Sequence, residues 1–79
     1  MPTVNADQRI LGYLGRALSM ELSAVQLYST QARLVDAWGL AGVAGKLSAE
    51  AGEELAHAER IISRMLALGV APNASQLRP

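Results

Sequence analysis

The chain has 79 residues, no cysteine, and seven basic residues balanced by seven acidic ones, so its formal net charge is zero. A neutral chain without basic patches is not expected to bind nucleic acid or an anionic membrane surface. No apolar run approaches the roughly 20 residues of a membrane-spanning helix. A domain this small buries only about 60% of its unfolded surface and, without disulfides, needs a metal or a partner subunit.

Alanine and leucine dominate, and the prolines lie only near the two ends, which is typical of a helical protein. A first helix is predicted over about residues 6–37, with Asn5 as its N-cap. A turn follows at about 38–41, and a second helix at about 42–68. An extended tail is predicted over residues 69–79. Because short turns join antiparallel helices, the chain is predicted to be a single all-α domain, an antiparallel two-helix hairpin.

Each predicted helix carries an apolar stripe at spacings of three and four residues, interrupted near its middle by polar residues. The polar residue in the stripe of the first helix is Glu21, and the polar residues in the stripe of the second are Glu50, Glu54 and His57. If the chain folds back at Gly39, Glu21 and His57 reach nearly the same height and Glu54 lies about one turn lower. The stripes comprise Leu11, Leu14, Leu18, Glu21, Val25, Tyr28, Ala32 and Val35, and then Val43, Leu47, Glu50, Glu54, His57, Ile61, Met65 and Leu68.

Carboxylates in an apolar stripe are costly unless they are paired or bind a metal. A hairpin also leaves one apolar face open, and a second copy would cover it. Glu21 and Glu54 lie near the middle of their helices, so a two-fold axis there would unite both sets of polar residues. Two chains then supply four glutamates and two histidines, the ligand set of di-iron carboxylate bundles. The sequence therefore predicts a homodimer or higher homo-oligomer with two iron ions per dimer.

Five segments of the sequence are informative in combination: Leu18–Leu22, Gln26–Tyr28, Ala37–Leu40, Glu53–Arg60 and Pro72–Asn73. Together they resemble the N-terminal half of bacterioferritin, within the ferritin-like superfamily. The similar stretch covers nearly the whole chain. The resemblance implies a half-ferritin domain that dimerises into a ferritin-like four-helix bundle, with a larger cage or shell as a further assembly.

The resemblance also implies a role for each candidate site residue. Glu21 matches the terminal iron-ligating carboxylate, Glu54 the carboxylate that bridges two irons, and His57 the terminal nitrogen ligand. Tyr28 matches the tyrosine beside the di-iron centre, where it hydrogen-bonds a ligand or donates an electron. Glu50 either lines an iron access path or secondary metal site, or is simply a solvated glutamate.

The predicted function is that of a cytoplasmic ferroxidase of bacterioferritin type. It would oxidise Fe(II) with O₂ or peroxide at a site shared between two chains, for iron storage or detoxification. Bacterioferritin holds haem through methionines at subunit interfaces, and Leu55 stands at the matching position, so haem binding is not expected there. Two alternatives stay open: a metal-free helical dimerisation or scaffold module, and a haem-binding dimer.

Overall fold

The computed structural model describes residues 8–70 and Pro72. It consists of helix α1, Gln8–Ala37, and helix α2, Ala41–Ala67, which pack against each other along the hairpin. The described residues contain no strand, so the predicted all-α class and the two-helix hairpin are confirmed. The predicted N-cap, Asn5, lies outside the described residues. In this described part of the chain, neither helix is both long and apolar enough to cross a membrane.

The turn between the helices is built around Gly39, which has a φ of 84°. The Gly39 amide donates to the Asp36 carbonyl at 2.9 Å, and the Leu40 amide donates to the Val35 carbonyl at 3.0 Å. These two bonds form a Schellman motif, in which a glycine adopts a left-handed conformation that other residues rarely take. The Leu40 carbonyl then accepts from the Ala44 amide at 2.9 Å, so α2 starts directly after the turn.

Helix α2 ends with the same motif. The Gly69 amide donates to the Leu66 carbonyl and the Val70 amide donates to the Met65 carbonyl, each at 3.0 Å, and Gly69 has a φ of 79°. The helix stops one residue before the predicted end, because Leu68 already adopts a cap conformation. Most of the predicted extended tail lies outside the described residues.

The contact between the two helices is narrow and lined mainly by alanine. On α2 the buried positions follow a seven-residue spacing, which places them on one side of the helix. Small side chains allow the two helix backbones to approach closely, since interaxial distance depends on the residues at the contact. The buried apolar residues are Leu18, Ala32, Ala44, Ala51, Ala58 and Met65.

The buried line on α2 differs from the predicted stripe. Val43 is 48% exposed and Glu50 is also exposed, although both were predicted to lie in the stripe. Each is followed by a buried alanine, Ala44 and Ala51 respectively. At these two places the buried position is therefore one residue later than predicted. One residue corresponds to a rotation of about 100° around the helix.

The hairpin is long and thin, measuring 55 × 22 × 18 Å, with a radius of gyration of 15.7 Å. A compact domain of this chain length would have a radius of gyration of about 12 Å. No large side chain among the described residues is fully buried. Two helices alone thus leave much apolar surface uncovered, as expected of a subunit that packs against another chain or domain.

Candidate metal centre

Three side chains with metal-binding groups converge at mid-length of the hairpin: Glu21, Glu54 and His57. Each offers one ligand atom, and these atoms all lie within 4.8 Å of one another. His57 Nδ1 is 2.9 Å from Glu54 Oε1, a hydrogen bond that Nδ1 donates when it carries the proton. The same nitrogen lies 3.6 Å from Glu21 Oε2. One imidazole nitrogen therefore faces carboxylates from both helices.

Helical geometry explains why these side chains meet. Glu54 and His57 are three residues apart on α2, so they occupy neighbouring positions on one side of the helix. Glu21 comes from α1 and reaches them across the hairpin contact. Glu54 is the central residue of α2 (Ala41–Ala67), and Glu21 lies within two residues of the centre of α1 (Gln8–Ala37).

The group rests on the best-packed part of the hairpin. Leu18, one turn before Glu21, and Ala58, directly after His57, belong with Met65 to the buried core cluster. Packing at these positions fixes the backbone from which the ligand side chains extend. Such support matters because a metal site needs donors held near their binding geometry.

The group is only partly enclosed by one chain. The exposed side-chain fractions are 27% for Glu21, 23% for Glu54 and 44% for His57. The donors open onto a face of the hairpin that carries Ala17 and Ala24 on α1, four residues before and three after Glu21. We call this surface, with Glu21, Glu54, His57 and these two alanines, the ligand face. Its small residues beside the donors leave room for another helix to approach.

Carboxylate oxygens and imidazole nitrogen suit Fe(II), and they also suit Mn(II) and Zn(II). The donor set therefore fits a first-row divalent ion. In di-iron carboxylate bundles, each pair of metal ions has six protein ligands. One chain of this protein offers three donors, equal in number to half of that ligand set.

The other two predicted site residues lie outside this group. Tyr28 is half-buried on α1, two turns beyond Glu21, and Glu50 is exposed on α2, one turn before Glu54. Neither belongs to the three-residue group, which is the one cluster of its kind among the described residues. The roles predicted for Tyr28 and Glu50 stay predictions.

A groove that the sequence did not predict lies beside Glu21. It has a volume of about 400 Å³ and is lined by Tyr13, Arg16, Ala17 and Met20 together with Glu21. The exposed Met20 and Tyr13 fall in a second line of apolar residues on α1 at the same three- and four-residue spacing. This spacing is the sequence signal for the apolar wall of the groove.

Comparison with known proteins places the chain in a family. The sequence pattern of the Ferritin-like domain matches residues 11–79. The chain belongs to the ferritin-like domain family. The predicted resemblance to bacterioferritin is also confirmed by its relatives. The bacterioferritin of Rhodobacter capsulatus is 40% identical over 76 residues, covering 96% of this chain and 47% of that protein.

Further relatives show the same partial coverage. The bacterioferritin of Mycolicibacterium paratuberculosis is 34% identical over 74 residues, covering 94% of this chain and 46% of the relative. The bacterial ferritin of Neisseria meningitidis is 34% identical over 73 residues, covering 92% of this chain and 47% of the relative. The chain thus spans about half the length of the curated relatives it matches.

A solved structure agrees with the sequence comparison. The structure of Rhodobacter capsulatus bacterioferritin superposes with a TM-score of 0.87 at 40% identity, covering 95% of this chain and 47% of that one. That protein is described as having a metal-free dinuclear site and a haem iron in a crystallographic special position. The hairpin therefore has the fold of half a ferritin-like subunit.

Proposed function

We propose that two copies of this chain form a four-helix bundle that binds two Fe(II) ions between them and oxidises them with O₂ or peroxide. The observation that carries this proposal is the convergence of Glu21, Glu54 and His57, with their ligand atoms within 4.8 Å of one another. Family membership supports the chemistry, since the matched relatives are bacterioferritins and a bacterial ferritin. The proposed role is iron storage or detoxification.

The proposal requires a second chain because one hairpin carries half of the ligand set. The ligands lie at mid-length of both helices. When two hairpins overlap along their full length, a two-fold axis perpendicular to the helices unites their ligand sets only if these lie at mid-length. An axis parallel to the helices would tolerate ligands at any height. The central position of Glu21 and Glu54 therefore favours an antiparallel pair of hairpins, with their turns at opposite ends.

Within such a bundle each side chain has a defined task. Glu54 would lie nearest the two-fold axis and bridge the two ions, with Glu21 and His57 as terminal ligands. The hydrogen bond of 2.9 Å to Glu54 orients the imidazole so that Nδ1 faces the carboxylates. Nδ1 would hold the ion through its lone pair, with the ring proton then carried on Nε2.

The reaction needs two substrate ions side by side. Two Fe(II) ions each lose one electron, and O₂ takes up both electrons and two protons to give hydrogen peroxide. When peroxide is the oxidant, the same two electrons and two protons convert it to two water molecules. The carboxylates hold the ions close enough for both electrons to leave in one event, and they stabilise the higher charge of Fe(III).

The function is tested by the rate of Fe(II) oxidation in wild type and in Glu54→Ala. We expect Glu54→Ala to abolish the protein-dependent oxidation, because it removes the shared carboxylate from both copies. Circular dichroism should still report a helical protein. The matched control is Glu53→Ala, which removes an exposed carboxylate one residue away. Wild-type oxidation rates in Glu54→Ala would show that the site is wrongly assigned.

A further inference from the structure

Met20 places a thioether directly beside the metal-binding group. It precedes Glu21 on α1, and the two residues line the same groove. Met20 is 72% exposed, more than any other large apolar residue among those that the structure describes. It also lines a second groove on α1, which Gly12 and Gly15 help to form. The Met20 side chain is therefore open to small molecules from both grooves.

The groove beside Glu21 leads from the metal-binding group to Met20. Its lining includes Glu21 and Ala17, which belong to the ligand face, and Met20, which is adjacent to Glu21 in the sequence. One residue corresponds to about 100° around the helix, so Met20 lies at the edge of the ligand face. A partner hairpin on that face would cover the end of the groove at Glu21. A small molecule that leaves the metal site along the groove passes Met20.

The proposed reaction releases such a molecule, because it reduces O₂ to hydrogen peroxide. We propose, on the basis of the proposed function, that this peroxide oxidises Met20 to methionine sulfoxide, a modification that thioethers undergo readily. The sulfur attacks one oxygen of the peroxide, a sulfur–oxygen bond forms and the oxygen–oxygen bond breaks. The hydrogen on the transferred oxygen moves to the departing hydroxide, which leaves as water. The sulfur loses two electrons and the peroxide gains them.

Arg16 favours this two-electron reaction at Met20. The two residues line both grooves together. The guanidinium of arginine is always charged, and a fixed positive charge repels Fe(II) but not neutral hydrogen peroxide. Peroxide in the groove therefore meets the sulfur away from free Fe(II), which would otherwise split it into radicals. Met20 thus acts as a trap that removes one molecule of peroxide per chain.

Met65 provides a comparison within the same chain. It is 4% exposed and belongs to the buried core cluster with Leu18 and Ala58. Its sulfur is shielded by the contact between the two helices. Oxidation that depends on the groove should therefore modify Met20 and leave Met65 unchanged.

The modification is tested by peptide mass spectrometry of the full-length protein after it has oxidised Fe(II) in air. Catalase is included to destroy peroxide that reaches the bulk solution. Trypsin cleaves after Arg16 and Arg33 to isolate Met20, and after Arg64 to release Met65. We expect one added oxygen atom on the Met20 peptide and none on the Met65 peptide. Unmodified Met20 in a protein that has oxidised its Fe(II) would overturn the proposal.

Leu34→Met is the matched control for position. Leu34 is 48% exposed on α1, and 13 residues separate it from Glu21, which is roughly 20 Å along the helix. The new methionine falls on a different tryptic peptide from Met20, because Arg33 precedes it. With catalase present, Met20 should be oxidised and the methionine at position 34 should stay reduced. Equal oxidation at the two positions would show that bulk peroxide is responsible, and would overturn the proposal.

Glu54→Ala is the control for the source of the peroxide. With Fe(II), air and catalase, Met20 should stay reduced in this variant, because the metal site that produces peroxide is lost. Hydrogen peroxide added without catalase should still oxidise Met20 there. Equal oxidation of Met20 in wild type and Glu54→Ala under catalase would contradict the proposal, and so would a Met20 that added peroxide leaves reduced.

Labelled O₂ identifies the origin of the sulfoxide oxygen. In ordinary water under O₂ that carries heavy oxygen, the oxygen on Met20 should carry the label, and an unlabelled sulfoxide would refute attack on peroxide. The absorbance of Fe(III) in the same samples separates this proposal from the proposed function. Without protein-dependent Fe(II) oxidation, both fail. Oxidation of Fe(II) that leaves Met20 unmodified refutes only the peroxide trap.

Discussion

At the scale of single residues, the site depends on one imidazole nitrogen shared between two helices. His57 Nδ1 contacts Glu54 at 2.9 Å and lies 3.6 Å from Glu21. Two carboxylates this close would repel each other if nothing positive lay between them. In the metal-free hairpin, the imidazole of His57 lies between the two carboxylates and hydrogen-bonds Glu54. A divalent ion at the same place would relieve it fully and at the same time hold α1 to α2.

Tyr28 offers a residue-scale test of the reaction rather than of metal binding. It lies two turns beyond Glu21 on α1 and is half-buried. We expect Tyr28→Phe to bind Fe(II) with wild-type stoichiometry but to oxidise it more slowly, by roughly tenfold, the effect of losing one hydrogen bond worth about 1.4 kcal/mol. Anaerobic titration and stopped-flow absorbance measure the two quantities.

Tyr13→Phe is the matched control for Tyr28. Tyr13 is 66% exposed and lies two turns before Glu21 on α1. Its loss of a hydroxyl should leave both binding and oxidation unchanged. Equal oxidation rates in Tyr28→Phe and wild type would limit Tyr28 to a packing role.

The sequence was sufficient to predict that Glu21, Glu54 and His57 converge, but not to predict their full surroundings. Glu21, Glu54 and His57 interrupt apolar stripes, and helix periodicity brings them to one height, so their convergence follows from spacing alone. Glu50 interrupts the same predicted stripe, yet it is exposed. Periodicity cannot separate neighbouring positions on a helix when the residue that follows is an alanine, which fits both buried and exposed sites.

At the scale of helices, the turn after α1 and the end of α2 each depend on a glycine. Gly39 and Gly69 adopt φ values of 84° and 79°, and each closes a Schellman motif. The sequence allowed these turns to be predicted because glycine after a helical pattern is a strong stop signal. It did not identify the line of buried alanines on α2, which are Ala44, Ala51 and Ala58 and which we call the alanine seam, since alanine contributes little to hydrophobic periodicity.

The alanine seam makes a stability prediction. Ala58 is fully buried, with 0% exposure, between the two helices. We expect Ala58→Leu to lower the free energy of unfolding by about 1–3 kcal/mol, because extra methylenes in a packed contact force side chains and backbone to shift. Chemical denaturation at a fixed protein concentration measures this change.

Ala49→Leu serves as the comparison for Ala58→Leu. Ala49 is exposed on α2, and leucine and alanine have similar helix propensities. Its free energy of unfolding should stay within about 0.5 kcal/mol of wild type. An Ala58→Leu protein as stable as Ala49→Leu would mean that the helix contact is looser than the seam implies.

At the scale of the whole molecule, the hairpin is elongated, with a radius of gyration of 15.7 Å, and it leaves large apolar side chains exposed. The sequence could predict the hairpin because local patterns determine helices and turns. It could not determine the assembly, because the same open faces admit a second copy or another half-domain. The chain matches only about half the length of its relatives, so what packs against the open faces is the central question of its function.

Stability should be linked to both chain concentration and metal. Anything that binds only the folded state stabilises it, by about 2.7 kcal/mol at one hundred times the dissociation constant. We expect the melting temperature to rise with protein concentration and to rise further with Zn(II), which is not oxidised. Glu54→Ala should keep the first response and lose the second. A melting temperature independent of concentration would argue against assembly.

The most direct measurement is an anaerobic titration of the metal-free protein with Fe(II), with the bound ions counted per chain. A centre shared by two copies predicts about one ion per chain, and therefore two per pair of chains, with the ligand set of di-iron carboxylate bundles. Glu53→Ala should match wild type, and Glu54→Ala should lose tight binding. No tight binding by wild type would contradict the shared di-iron centre.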